Sequence, residues 1–274
     1  MNRTIVITGA SSGIGAAAAR QLHRDGHHVV IVGRSAPKTA AVARKIGADH
    51  FLVDFTRMED VRKLAAELDA AYPRIDVLAN NAGGDFSDNV KTADGFDKSF
   101  QVNHLSPFLL TTLLMDKLIA SRATLIQTSS VGARMRGRVD LDDLNQERDF
   151  DPIRAYGTAK LENILFTREL HRRYHDQGIN AVAFHPGNVA TNFGSTSASR
   201  MMRFIATNPI IRTVMLTSPE KGADQLVWFA ESRPGIDWQP GEYYEKRRVA
   251  KTSPQAGDPA LARGLWERSE QFLA

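Results

Sequence analysis

Residues 4–24 read TIVITGASSGIGAAAARQLHR, an apolar run followed by three glycines and then by an alanine-rich stretch. The pattern predicts a strand that ends at Thr8, a tight turn, and a helix that ends at Arg24. Glycines in such a turn let the backbone approach a pyrophosphate closely, and the amide-rich start of the helix stabilises its charge. The stretch therefore predicts a dinucleotide phosphate site. Its candidate residues are Gly9, Ser11, Ser12, Gly13, Ile14 and Gly15.

Short apolar runs alternate with helix-period stretches along the rest of the chain. The predicted strands contain residues 5–7, 29–32, 50–53, 75–79, 123–126, 180–184 and 242–244. The predicted helices contain residues 15–24, 39–46, 61–71, 93–102 and 154–174. Continuous apolar strands alternating with helices are typical of a parallel sheet covered on both faces. We expect an α/β fold, a Rossmann-type doubly wound parallel sheet, in one domain over residues 1–274.

Two stretches interrupt this alternation. Residues 132–152 are polar and too long for a simple link between a strand and a helix. Residues 192–219 are mixed and follow the sixth predicted strand. Because ligands bind at the carboxyl ends of such strands, we expect residues 192–219 to form a substrate lid. The alternative is an extra amphipathic helix packed on the core.

Composition excludes several classes of protein. The 274 residues include no cysteine, so disulfides and thiolate metal sites are excluded, and the net charge is only +4. No apolar run reaches the ~20 residues of a membrane span, and we expect a cytoplasmic protein without a targeting segment. The basic clusters lack interleaved aromatic residues, so nucleic acid is not an expected partner. His171 and His175 have metal-ligand spacing but no acidic third ligand. We therefore expect them on an exposed helix face and predict no metal site.

The end of the second predicted strand bears on the choice of dinucleotide. An NAD site places an acidic residue about 20 residues after the glycines, where it binds the ribose 2′-hydroxyl. This chain has Arg34 there, followed by Ser35 and Lys38. A guanidinium binds a 2′-phosphate through its charge and through paired hydrogen bonds. We therefore expect NADP(H), the alternative being that Arg34 is an ordinary surface arginine.

Tyr156 and Lys160 form a Tyr-x-x-x-Lys pair in a stretch predicted to be helical. Residues four apart lie on one face of a helix, so the phenol and the ammonium can share a site. A nearby cation favours the phenolate and should lower the pKa of Tyr156. Further polar groups lie in a predicted helix or follow predicted strands. They are Asn103, the stretch Gln127-Thr128-Ser129-Ser130 and the stretch Asn80-Asn81-Ala82-Gly83.

Together these motifs resemble the short-chain dehydrogenase/reductase family. The matching pattern, in order, is TGASSGIG, NNAG, Asn103, Ser130, YGTAK and HPGNVAT. Within the family the chain is most similar to the retinol-dehydrogenase-like branch, through VNHLSPFLLT at 102–111, DDLN at 142–145 and SPEKGA at 218–223. The resemblance covers essentially the whole chain. It implies an oxidoreductase that transfers hydride between a nicotinamide and an aldehyde, ketone or alcohol.

The resemblance also implies a role for each catalytic candidate. Tyr156 would be the acid in carbonyl reduction and the base in alcohol oxidation. Lys160 would lower its pKa and hold the nicotinamide ribose. Ser130 would hydrogen-bond the substrate oxygen, and Asn103 would hold a water that relays protons to Lys160. Ser129 is the rival for the serine role, and Ser130 is preferred because it directly precedes Val131-Gly132.

Further cofactor contacts are implied along the same edge of the sheet. Those near the adenosine are Asp54, Phe55, Asn81, Ala82 and Gly83. Those near the nicotinamide are Pro186, Gly187, Val189 and Thr191. By resemblance alone we also expect a homo-oligomer, either a dimer or a tetramer.

Two features depart from the branch. Gly84 follows NNAG where the branch usually has a larger apolar residue. Members anchored in membranes begin with an apolar helix, whereas this chain begins at its first strand. We therefore expect a hydrophobic substrate other than a retinoid.

Two other functions stay open on the sequence. One is a cofactor-sensing protein with the same fold and no turnover, although such relatives often lose the Tyr or the Lys that this chain retains. The other is a reductase of carbon–carbon double bonds, as in protochlorophyllide reductases. The lack of a cysteine as an extra proton donor weighs against it.

Overall fold

The computed structural model describes residues 2–86, 88–187 and 217–274, and its centre is an eight-stranded sheet. The strands are β1 (Thr4–Thr8), β2 (His28–Gly33), β3 (Asp49–Leu52), β4 (Val77–Asn80), β5 (Thr124–Thr128), β6 (Asn180–His185), β7 (Tyr243–Glu245) and β8 (Arg248–Val249). Their order across the sheet is β3-β2-β1-β4-β5-β6-β7-β8. Strands β1 to β7 pair in parallel, and β8 runs antiparallel to β7.

The helices are numbered here in chain order over the described residues. They are α1 (Gly13–Arg24), α2 (Ala36–Ile46), α3 (Met58–Ala71), α4 (Lys98–Phe100), α5 (Ser106–Leu113), α6 (Met115–Ser121), α7 (Gly132–Met135), α8 (Pro152–Tyr174), α9 (Pro219–Glu231) and α10 (Pro259–Leu273). A π-helical turn, Gln101–Leu105, joins α4 to α5. None of these described helices has the length and apolar composition needed to cross a membrane.

Side chains that alternate along the strands supply two separate cores. Ile5 and Ile7 of β1 pack on one face with the alanines of α1 and with Phe229 of α9. Val6 points to the other face, into a core shared with α3, α5, α8 and α10 that includes Trp266. Because successive side chains of a strand point to opposite faces, an apolar strand can serve both cores at once.

The chain reverses direction across the sheet between β1 and β4, and this is where ligands bind in doubly wound sheets. At the end of β1 the Thr8 hydroxyl accepts hydrogen bonds from the backbone N–H groups of Asn81 and Ala82, both at 3.0 Å. Gly9 then adopts φ +68°, and a Cβ there would lie 2.8 Å from the Cα of Ala82. A side chain at Gly9 would therefore separate the two loops that border the crevice.

The predicted doubly wound parallel sheet is confirmed, and all seven predicted strands form. The predicted helix over residues 93–102 is wrong at its start, because the helix begins only at Lys98. The Asp97 carboxylate accepts a hydrogen bond from Phe100 N at 2.9 Å and so caps the helix there, while Lys91 and Asp97 form an isolated bridge. The short strand β8 was not predicted. The proposed lid at 192–219 lies outside the described residues except for its end, where Ser218 caps α9.

One buried side chain of α8 is an ionisable carboxyl group, that of Glu162. Glu162 is 1% exposed, and neither of its carboxylate oxygens has a hydrogen-bond partner among the described residues. Burial raises the pKa of Glu162 well above its ordinary value, and the charge of Asp97 raises it further. The folded chain therefore retains a proton that the unfolded chain releases, so stability falls as pH rises above the ordinary glutamate pKa.

Replacing this carboxyl by an apolar group should stabilise the protein. We expect Glu162→Met to raise the free energy of unfolding by ~1–3 kcal/mol, because an unsatisfied buried polar group is removed. The gain should be larger at pH 8.5 than at pH 5.5, as measured by urea unfolding. The exposed Glu267→Met in α10 is the matched control and should change stability by less than ~0.5 kcal/mol. A Glu162→Met variant that is less stable than the wild type at both pH values would refute this account.

Candidate active site

The turn between β1 and α1 is built to receive an anion. Gly9 and Gly13 both have positive φ, +68° and +57°, which only glycine adopts at little cost. Ser12 precedes the first helical residue in an extended conformation, and its side chain makes no capping hydrogen bond. The first turn of this 12-residue helix contains no acidic residue. The N–H groups at its start can therefore serve a phosphate, and the residues present fit a dinucleotide pyrophosphate.

The loop after β2 places two cations at the same edge of the sheet. Arg34 and Lys38 are exposed, and neither forms an ion pair with any described residue. Ser35 precedes α2, and its carbonyl oxygen accepts hydrogen bonds from the backbone N–H and the hydroxyl of Thr39, at 2.8 and 2.7 Å. These bonds fix the backbone between the two cations.

The predicted adenosine contacts lie beside this loop. Val53 N donates to the carbonyl of Gly33 at 3.1 Å, so the end of β3 is held against the end of β2. The Asp54 carboxylate accepts hydrogen bonds from the N–H and the hydroxyl of Thr56, at 3.0 and 2.8 Å. Phe55 is buried, and its carbonyl accepts a hydrogen bond from the Ser106 hydroxyl at 2.7 Å.

Lys160 lies at the centre of the polar cluster. It is 3% exposed, and its Nζ donates to the carbonyl of Thr128 at 3.1 Å, at the end of β5. The same Nζ is 5.7 Å from the centre of the Tyr156 ring. Burial lowers the pKa of Lys160 to about 7, because the charged form loses its hydration. Its protonation therefore changes near neutral pH.

Asn103 is held against the loop that follows β4. Its Nδ2 donates to the carbonyls of Gly84 and Ser99, at 3.0 and 2.9 Å, and its Oδ1 accepts from Gly84 N at 3.1 Å. The side chain projects from the π-helical turn, an irregularity frequently found at functional sites. A Cβ built on Gly83 would lie 2.5 Å from this Oδ1 and 2.9 Å from Lys160 Nζ. No side chain fits at Gly83, so its backbone passes directly beside both groups.

The two candidate serines have different surroundings. The buried Ser129 hydroxyl donates to the carbonyl of Lys160 at 2.6 Å, so it joins β5 to α8. The Ser130 hydroxyl accepts from Gly132 N at 3.2 Å and hydrogen-bonds the phenol of Tyr156. Of the pair, only Ser130 is therefore brought to the phenol.

In the protein alone the pKa of Tyr156 is raised, so the predicted lowering is wrong there. Burial raises the pKa of this phenol, and the charge of Asp85 adds to the effect, while the hydrogen bond from Ser130 opposes it. The ammonium of Lys160 does not offset the burial, because it is itself desolvated and is directed to the carbonyl of Thr128. In the protein alone, Tyr156 is therefore a protonated phenol at neutral pH.

The predicted nicotinamide contacts begin after β6. His185 has a structural role, since its Nδ1 accepts from Val131 N at 3.3 Å and its carbonyl accepts from Gln225 Nε2 at 2.7 Å. Pro186 follows, and Gly187 turns the chain with φ +87°. Val189 and Thr191 lie outside the described residues.

Two further features complete the site. A Cβ on Gly84 would lie 2.6 Å from the Phe86 ring, so this ring occupies the space that a side chain at Gly84 would need. Thr8 and Thr128 were not predicted as site residues, although the first holds Asn81 and the second holds Lys160. Thr8 is the first residue of the motif TGASSGIG, and Thr128 belongs to the stretch Gln127-Thr128-Ser129-Ser130. His171 is half-buried rather than exposed, because it packs against Gly241.

Known proteins resemble this chain along most of its length. The sequence profile of the short chain dehydrogenases matches residues 3–201. The chain belongs to the short-chain dehydrogenase/reductase family. It is 45% identical to a Streptomyces protein named as a daunorubicin C-13 ketoreductase, DnrU, over 97% of this chain and 91% of that one. It is 34% identical to human retinol dehydrogenase 13, over 99% of this chain and 84% of that one.

A solved structure has the same fold. An uncharacterized protein from Mycobacterium paratuberculosis superposes with a TM-score of 0.78 at 32% identity, over 98% of this chain and 92% of that one. The chain is thus an oxidoreductase of the retinol-dehydrogenase-like branch, and its family uses a nicotinamide cofactor and small-molecule alcohols or ketones.

The close packing at Gly83 allows a direct test of the positions of Asn103 and Lys160. We expect Gly83→Ala to lower kcat by about 10- to 100-fold, because the methyl group would displace either Asn103 or Lys160 and small misplacements of catalytic groups are costly. Gly257→Ala is the control, since its Cβ would meet only Arg168 Nη1 at 3.6 Å. Both variants should unfold at nearly the wild-type temperature. A Gly83→Ala enzyme with the wild-type kcat would contradict the assigned arrangement.

Proposed function

We propose that this protein is an NADP(H)-dependent oxidoreductase that transfers hydride between the nicotinamide and the carbonyl or alcohol carbon of a hydrophobic substrate. The observation that carries the proposal is the convergence of Ser130, Tyr156 and Lys160 at one edge of the sheet. This edge also carries the glycine turn and the loop after β4. All of these residues belong to elements of a single sheet and its helices, so we also propose that residues 1–274 act as one catalytic domain.

Each side chain of the cluster has a defined task in this proposal. When bound, the cofactor supplies or accepts the hydride. Tyr156, a protonated phenol in the protein alone, donates its proton to the carbonyl oxygen during reduction and takes it back during alcohol oxidation. Ser130 donates a hydrogen bond to the same oxygen while negative charge develops there.

Lys160 returns the proton to Tyr156. Its pKa of about 7 allows it to gain and lose a proton at the pH of the reaction. Asn103 Oδ1 and Lys160 Nζ both lie close to Gly83, near enough to each other for a single water to bridge them. We propose that the relaying water bridges these two atoms. Since the chain keeps both Tyr156 and Lys160, turnover is favoured over cofactor sensing.

The preference for NADP(H) rests on the loop after β2. Arg34 and Lys38 stand exposed beyond the strand, without a partner carboxylate among the described residues, where a 2′-phosphate would supply two negative charges. The names of the relatives support a carbonyl compound or an alcohol as the substrate. One is named for a ketone and others for an alcohol, and these are the two forms that one hydride transfer interconverts.

The role of Tyr156 can be tested by removing one oxygen atom. We expect Tyr156→Phe to lower kcat by about 10³-fold or more, because no other group can pass the proton. Its Kd for NADPH, measured by fluorescence titration, should stay within about 3-fold of the wild-type value. Tyr174→Phe, at the other end of α8, is the control and should keep full activity. Equal turnover by Tyr156→Phe would refute the acid–base role.

The cofactor preference can be tested at Arg34. We expect Arg34→Ala to weaken NADPH binding by about 10- to 100-fold, the value of a hydrogen-bonded charge, and to leave NADH binding nearly unchanged. Arg44→Ala, an exposed change in the same helix region, should alter neither. Parallel fluorescence titrations of the wild type and both variants with the two cofactors measure all six dissociation constants. Preferential binding of NADH by the wild-type protein would reject the 2′-phosphate interpretation and leave the catalytic proposal standing.

A further inference from the structure

An open cavity of about 500 Å³ lies at the edge of the sheet beside β7 and β8. Four cationic side chains line it, those of Arg134, Lys246, Arg248 and Lys251, together with the carboxylate of Glu245. Val249 and Ala250 complete its wall, and Val249 is 55% exposed. We call this space the basic cavity. None of its four cations forms an ion pair with any described residue, and they outnumber the one carboxylate of the lining.

The hairpin that carries two of these cations is held in a costly conformation. Lys246 and Arg247 form the two-residue turn between β7 and β8, and both have left-handed backbones, with φ +52° and +58°. Asparagine and glycine are the residues that such turns prefer. Long cationic side chains at both positions are strained, and strain of this kind is concentrated at functional sites.

Contacts of Arg247 fix this turn on α9. Its guanidinium pairs with Asp224 at 2.5 and 3.1 Å and lies 5.6 Å from the centre of the Trp228 ring. Its N–H donates to Gln225 Oε1 at 2.8 Å, and Gln225 in turn holds the carbonyl of His185. The turn is thus tied to the end of β6. Arg247 is paired with Asp224. Its neighbours Lys246 and Arg248 line the basic cavity instead.

The basic cavity adjoins the catalytic cluster. Arg134 belongs to α7, which begins at Gly132, and a Cβ on Gly132 would lie 3.3 Å from the Tyr156 ring and 3.5 Å from Ser130 Oγ. Tyr243 of β7 is within electrostatic reach of both Arg134 and Tyr156. The reacting phenol and a cation of the basic cavity therefore share this neighbour.

We propose that the basic cavity binds an anionic group, a carboxylate or a phosphate, at the far end of the substrate that reacts at Tyr156. This inference rests on the proposed function and narrows its substrate class to hydrophobic carbonyl compounds or alcohols with an acidic tail. The anion must be distant from the reacting carbon. Asp85 lies within electrostatic reach of Tyr156 and would repel a negative charge next to the carbonyl.

Aldehydes with an acid at the opposite end are the direct probe. We measure kcat/KM with NADPH for the series from ω-oxooctanoate to ω-oxododecanoate, for their methyl esters, and for ω-oxodecyl phosphate. We expect the acids to exceed the esters by about 10-fold or more at one chain length, since a charge-assisted contact is worth at least that factor. The advantage should decrease as salt is added. Pyruvate, with its carboxylate beside the carbonyl, should be a poor substrate.

Charge reversal separates the cavity from a general attraction for anions. Arg248→Glu with Lys251→Glu should remove the preference for acids and leave kcat/KM for the esters within about 2-fold of wild type. Arg44→Glu with Arg263→Glu makes the same change in net charge on remote exposed positions and should keep the preference. If the phosphate exceeds the carboxylate, the natural tail is a phosphate. If the reverse holds, it is a carboxylate.

A binding measurement keeps this inference distinct from the proposed function. Decanoate has no carbonyl to reduce, and calorimetry should detect its binding to wild type and lose it in the charge-reversed variant. Turnover of acids and esters with equal kcat/KM in both proteins would overturn the basic cavity while the oxidoreductase stands. Decanoate binding that depends on Arg248 and Lys251, without turnover of any aldehyde, would support the cavity and reject the proposed chemistry. Equal decanoate binding by both proteins would reject the cavity.

Discussion

The buried ammonium of Lys160, directed at the carbonyl of Thr128, is the contact on which the site depends. Burial removes the hydration of this ammonium and thereby lowers the pKa of Lys160 to about 7. The same helix makes two further bonds at the end of β5. Asn163 Nδ2 donates to the carbonyl of Thr128 at 3.2 Å, and the Ser129 hydroxyl donates to the carbonyl of Lys160 at 2.6 Å. These three bonds fix α8 on β5, and so place Tyr156, one turn before Lys160, against Ser130.

A second constraint brings the cofactor loop to the same place. The Thr8 hydroxyl holds the backbone after β4, and the left-handed Gly9 allows the β1 turn to pack on Ala82. The loop that starts at Asn81 therefore borders the phosphate turn at one end and Asn103 and Lys160 at the other. One short segment thus couples the position of the dinucleotide to the position of the proton-transfer groups. A side chain at Gly83 would displace Asn103 or Lys160, so the segment needs a glycine at this position.

The sequence was a good guide to features that depend on local patterns. Apolar runs predicted the strands, and the glycine spacing predicted the turn before α1. The start of the helix at Lys98 was missed, because capping by Asp97 outweighed a weak periodicity. Motif order predicted Ser130, Tyr156, Lys160 and Asn103, and the residues after Ser130 favoured it over Ser129. The structure adds the physical reason, since the Ser129 hydroxyl is bonded to the carbonyl of Lys160 and the Ser130 hydroxyl contacts the phenol.

Properties that depend on burial and on distant parts of the chain were beyond the sequence. The Tyr156 phenol was expected to be acidic because a lysine follows it, whereas desolvation of both groups reverses the effect in the protein alone. The basic cavity joins Arg134 of α7 to Lys246 and Arg248 of the last hairpin. No spacing rule connects those positions, so only the sheet order, with β7 next to β6, reveals that they face one space.

Lys160 is a desolvated amine whose protonation changes near neutral pH. Nuclear magnetic resonance of protein labelled with carbon-13 at lysine Cε measures this directly, with Lys160→Met to assign the signal. We expect one lysine to titrate with a pKa of about 7 in the protein alone. A Lys160 signal that titrates near the ordinary lysine pKa of about 10.4 would contradict it.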